Sequence, residues 1–91
     1  MKIINLIYNE HLKAYSMNSK INPLEDRVSA SSIWEVINFV KENTEKKDRK
    51  EKRKVQINFY NFKDEVFSEI VAKLREEGYS EPRQMFIRKK L

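Results

Sequence analysis

Apolar residues recur over the first fifteen positions at spacings of three and four, at Ile4, Ile7, Tyr8, Leu12 and Tyr15, which places them on one stripe of a helix. Ile3, Ile4, Leu6 and Ile7 would equally suit a strand, because β-branched side chains pack well on a pleated surface. Positions 16–30 hold Ser, Asn and Pro23 with scattered Leu24 and Val28, and predict a connection. A helix then starts at Ser32: Glu35 lies at the capping-box spacing, and Ile33, Val36, Ile37 and Val40 follow on one face. Further on, Val55, Ile57 and Phe59 alternate with Gln56, Asn58 and Tyr60, the period of a strand with one apolar and one polar face. Asn61 is placed to cap the next helix, with Asp64 at its third position, and Val66, Ile70 and Leu74 recur every fourth residue beside Phe67 and Val71. Gly78, the only glycine, suits the left-handed position that ends it. Ser80 or Glu81 caps a last helix with Pro82 in its first turn and Phe86, Ile87 and Leu91 on its apolar face; a strand through Met85, Ile87 and Lys89 competes.

With 91 residues the chain forms one compact domain at most, or a smaller domain with a helical extension, since little core can be buried at this size. Association with a partner is therefore expected. Nineteen Lys and Arg against 14 Asp and Glu give a net charge of +5, which favours polyanions such as nucleic acid or an anionic membrane surface. Glu45 to Lys54 reads EKKDRKEKRK, with seven positive and three negative side chains and nothing apolar to bury. This break separates a helical N-terminal segment, residues 1–44, from a charged linker, 45–53, and a C-terminal unit, 54–91.

The absence of Cys excludes a disulfide framework, a thiolate zinc site and a cysteine nucleophile, and suits a reducing cytoplasm. His11, the only histidine, has no spaced second ligand and reads as a surface residue; neither a metal nor a cofactor is expected. Asn5, Asn9 and Glu10 interrupt the apolar opening that a signal peptide needs, and no apolar run approaches the roughly 18 residues of a spanning helix. The expectation is a cytoplasmic protein of a prokaryote or virus, with no membrane partner.

The segments RKVQINFY, FKDEVFSEIVAKLREEGYS and RQMFIRKKL stand in the order strand, helix, Gly-containing turn and second helix, behind a basic stretch. With the turn at Gly78 and Ser80 and the Ile87-Arg88 pair followed by Leu91, residues 53–91 resemble the ribbon-helix-helix family of dimeric DNA-binding proteins. The resemblance implies a mainly α fold with one short strand, in which a helical N-terminal segment precedes the ribbon-helix-helix unit. It further implies a homodimer whose outward strand residues, here Gln56, Asn58 and Tyr60, read DNA bases.

Elementary physics runs alongside. A lone strand must pair with something, and two antiparallel copies make a ribbon narrow enough for the major groove. The amides of Gln56 and Asn58 can bond adenine bidentately there, while Tyr60 supplies apolar contact or a phosphate hydrogen bond. Lys52, Arg53 and Lys54 at the groove edge would neutralise phosphates, and Ser80 with Arg83 would hold another at the start of the last helix.

This predicts sequence-specific binding of double-stranded DNA by a transcriptional regulator or a plasmid or phage control protein, with residues 1–44 as a helical appendage that stabilises the dimer or recruits a second protein such as a toxin or an ATPase. The alternative is a small interaction module or phage-type inhibitor, an α+β monomer whose C-terminal strand-helix-strand folds back on the N-terminal helices. RNA binding by base stacking would need exposed sheet aromatics, for which only Phe59 and Tyr60 could serve. Trp34, Phe39, Phe62 and Phe67 lie on helical periodicities and read as core or dimer contacts. No enzyme is expected. One glycine cannot build a phosphate-cradling loop, and Asp64, Glu65, Glu69, Glu76 and Glu77 read as solvent-facing ion pairs, a nuclease carboxylate cluster being the remaining catalytic alternative.

Overall fold

In an extended chain successive side chains alternate between two faces. The opening residues obey that rule, with Ile4, Leu6 and Tyr8 on one side and Ile3, Asn5 and Ile7 on the other, and form strand β1 (Lys2–Asn9). The computed structural model describes residues 2–44, 55–79 and 85–91. A hairpin leads from β1 to β2 (Ala14–Asn18), followed by β3 (Val28–Ala30), α1 (Ile33–Glu42), β4 (Val55–Tyr60), α2 (Asp64–Glu76) and β5 (Phe86–Lys89). The strands make one mixed sheet in the order β3-β2-β1-β4-β5. β2 runs antiparallel to both of its neighbours, whereas β1, β4 and β5 are mutually parallel.

This α+β fold overturns the expectation of a mainly α chain with one short strand. Residues 2–15 belong to a strand hairpin and not a helix, and the last segment is β5 and not a helix. The first misreading has a physical source: Ile4, Leu6 and Ile7 are all buried, so this interior strand carries apolar side chains on both faces and shows no period of two. The ribbon-helix-helix unit is absent for a second reason. β4 has β1 along one edge, over register pairs from Lys2–Val55 to Ile7–Tyr60, and β5 along the other, so no edge remains to pair with a second copy. Strands from either side of the expected linker thus share one sheet. That linker, with its Lys52 and Arg53, lies outside the described residues, as do Lys54, Ser80, Pro82 and Arg83.

β3 and β4 run in the same direction, so the chain makes two parallel crossovers, through α1 and through α2, each moving the same way across the sheet. The right-handed rule for such crossovers puts both helices on one face. There Val36, Ile37 and Val40 of α1 and Ile70, Val71 and Leu74 of α2 join Ile4, Leu6, Val55, Ile57 and Phe59 in one buried cluster. The opposite face carries no helix among the described residues.

Local chemistry sets the helix ends. Ser32 Oγ accepts from the Glu35 N–H and the Glu35 carboxylate accepts from Ser31 N–H, which satisfies two orphan donors at the start of α1. Asn61 does not cap α2. It sits in the left-handed region at φ 62°, and the N-cap is Lys63, without a side-chain cap bond. At the other end Gly78, at φ 95°, donates to Arg75 C=O and Tyr79 N–H donates to Leu74 C=O, a Schellman closure with Tyr79 and Leu74 fully buried. Tyr79 Oη also hydrogen-bonds the hydroxyl of Thr44, which ties the end of α1 to the end of α2.

Phe59 is fully buried, with the rings of Phe62, Phe67 and Phe86 edge-on at centroid distances of 5.2, 4.8 and 6.3 Å. Phe59→Ala is expected to cost about 3–5 kcal/mol, read as a lower urea midpoint at unchanged slope.

Candidate functional site

Gln56, Asn58 and Tyr60 point to the helix-free face, as strand alternation requires, but only Gln56 is appreciably accessible there. Asn58 is 3% exposed and Tyr60 8%. Register places Asn58, Asn5 and Asn18 in one row across β4, β1 and β2. Asn58 Nδ2 donates to Asn5 Oδ1 at 2.9 Å, and Asn5 Nδ2 donates to Asn18 Oδ1 at 2.9 Å and to Lys20 C=O at 2.6 Å. Gln56 feeds the row from its end, through Nε2 to Asn58 Oδ1 at 2.8 Å. Asn18 passes it on to the carbonyls of Asn22 and Glu25, and so fastens the loop between β2 and β3 onto the sheet. Asn58 thus ties β4 to β1 with its side-chain amide. Tyr60 and the fully buried Phe59 offer no stacking platform.

The residues left accessible for recognition stand at the sheet's β5 end. Ile57 N–H donates to Met85 C=O and Asn61 N–H to Lys89 C=O. Peptide groups that face a neighbour alternate along a strand with groups that face away. Ile87 and Lys89 therefore face β4, and the N–H and C=O groups of Phe86 and Arg88 face outward, where no further strand lies among the described residues. The Arg88 guanidinium is fixed by the Asp64 carboxylate, by Phe62 C=O at 2.8 Å and by the Phe67 ring, 4.9 Å from its centroid. Lys89 lies 6.0 Å from the Tyr60 ring centroid. An open cleft of about 460 Å³ is lined by Asn61, Phe62, Arg88, Lys89 and Lys90. Its wall is held by Asn61, whose Oδ1 accepts from Leu91 N–H.

Charge around this cleft is unevenly committed. Lys63 pairs with Glu10, and its ammonium holds the Glu10 carboxyl below the ordinary carboxylate range while its own value rises. Arg88 pairs with Asp64, but Lys89 and Lys90 make no ion pair among the described residues. At the opposite edge β3 is only three residues long and uncharged. Near it Lys20 bridges Asp26 and Glu25, which together raise its ammonium value, Asp26 the more strongly.

Of the aromatics expected to be buried, Phe62 lies in the core and Phe39 and Phe67 pack against it, whereas Trp34 is 66% exposed with Lys73 over its ring. His11 is exposed, and no group of three His, Cys, Asp or Glu among the described residues is placed to hold a metal ion. Among the described residues no helix is long and apolar enough to cross a membrane. Arg88, Lys89 and Lys90 had passed as the tail of a helix; the competing strand through Met85, Ile87 and Lys89 was the signal that could have found them.

Removing Asn58 leaves the buried Asn5 carbonyl oxygen without its donor, so Asn58→Ala should destabilise by about 1–3 kcal/mol, and Gln56→Ala, at the accessible end of the row, by clearly less. Thermal or urea unfolding of the two variants checks the order. Comparison with protein-family models, with curated proteins and with solved structures finds no match to this chain.

Proposed function

We propose that this chain is a non-catalytic protein-interaction module that takes an extended segment of a partner protein onto the β5 edge of its sheet. One observation carries the reading: the outward peptide groups of Phe86 and Arg88 stand unpaired among the described residues, beside a cleft whose Arg88 is already fixed in place. Strand addition of this kind draws affinity from main-chain hydrogen bonds and selectivity from alternate side chains. The α+β fold supports it, since an interaction module was the reading that called for an α+β monomer, though with N-terminal helices where β1, β2 and β3 precede α1. Reading of DNA by a β4 ribbon has no support left, because β4 has no free edge and Asn58 no free amide. A cysteine-free sequence suits such a module in the reducing cytoplasm of a prokaryote or of a virus-infected host.

A second reading, binding of duplex DNA by charge alone, is favoured by residues 45–54, whose surplus of four positive charges makes up most of the chain's +5. Contacts of that kind hold phosphates without reading sequence, and their affinity falls steeply with salt.

The two readings separate in one experiment. Peptides selected on the full chain from a random linear library should shift the backbone amides of residues 85–91 in 1H–15N spectra, and light scattering at micromolar concentration should give the mass of a monomer. Selected peptides that shift other surfaces and spare β5 would overturn the first reading. Tight duplex binding that is indifferent to sequence and lost with salt would establish the second.

A further inference from the structure

We infer that the partner segment is acidic, with carboxylates alternating with apolar residues along an extended strand; this rests on the strand-addition reading above. Side chains of an added strand alternate between the two faces of the sheet. Arg88 lies on the helix side, next to Phe67, and Lys89 on the helix-free side, next to Tyr60, so the edge presents a cation on each face. Lys90 extends the basic run past the end of the strand. Only Arg88 has a carboxylate of this chain beside it, while Lys89 and Lys90 are exposed and without an ion pair among the described residues. A carboxylate on either face of an incoming strand therefore meets a positive group. Apolar contact between the charges comes from Phe62 in the cleft wall, from the half-buried Ile87 and from Leu91, which is 58% exposed.

The same charges select against other occupants. A second copy adding its own β5 would set Arg88, Lys89 and Lys90 against their counterparts, and like charges on neighbouring strands are destabilising. Lysine on an edge strand is a known guard against unwanted pairing. Here it leaves the edge closed to a copy of itself and open to a strand of opposite charge. Such complementarity acts mainly on encounter rate and partner choice, with the main-chain bonds holding the complex.

The test uses the full chain and three synthetic eight-residue peptides: one alternating Glu with Val, its Gln counterpart, and the Glu peptide N-methylated on every residue. The Glu peptide should bind with shifts at Phe86 and Arg88, and the Gln peptide about tenfold or more weaker, as loss of charge pairing predicts. The fully N-methylated peptide should lose binding, because neither of its edges can then donate to β5. Lys89→Glu combined with Lys90→Glu should transfer the preference to a Lys-Val peptide, a reversal that a mere folding defect would not give. Equal binding of the Glu and Gln peptides would overturn the acidic inference and leave strand addition standing. No binding by either would overturn both, and binding that survives full N-methylation, or that duplex DNA or inorganic phosphate reproduces, would show capture by charge and overturn the inference.

Discussion

Asn58, Asn5 and Asn18 stand side by side on three neighbouring strands, each amide bonded to the next, and the sheet depends on that row. A buried amide without partners costs more than a made hydrogen bond gains. Sliding β4 by one residue against β1 would leave the Asn5 carbonyl and the Asn58 amide unmet in the interior and would turn Ile57 and Phe59 away from the helices, since register sets every side chain's face. Polar and apolar requirements therefore select the same register. Asn18 extends the constraint beyond the strands, because its two amide hydrogens hold the loop that leads to β3.

Topology accounts for what is left open. Two crossovers in one direction cover a single face with helices and carry the chain across the sheet from β3 to β4 and on to β5. The two edges are short, three residues in β3 and four in β5, and they differ in character. β3 is guarded by brevity. β5 is guarded by charge, and a charged guard is selective where a short one is not.

What could be read from the sequence was local or strictly periodic. Ser32 with Glu35, and Gly78 past the last apolar residue of α2, announce their helix ends through bonds made within a few residues. β4 announces itself by alternation. β1 does not, because an interior strand with Ile4 and Leu6 on one face and Ile7 on the other mimics a helical stripe. Asn61 has the chemistry of a helix cap, yet it bonds Leu91, thirty residues away, a partner no local rule could supply. Alternation put Gln56 and Asn58 on the polar face correctly but was silent on what meets them there. Asn58 finds its partner 53 residues earlier in the chain, so a tie within the sheet passed for a hand held out to DNA.

That separation of 53 residues also shapes how the molecule comes into being. The central contact of the sheet joins its first strand to its fourth, and closing a loop of that length precedes any reward from the contact, so pairings of this kind form slowly. During synthesis the β1–β2 hairpin is made well before β4, and until β4 arrives Asn5 lacks its donor and Ile4 and Leu6 lack the wall that Ile57 and Phe59 later provide. The first half of the chain thus emerges as an incomplete sheet with a sticky flank, and cellular factors that shelter nascent chains have their chance to act in that interval.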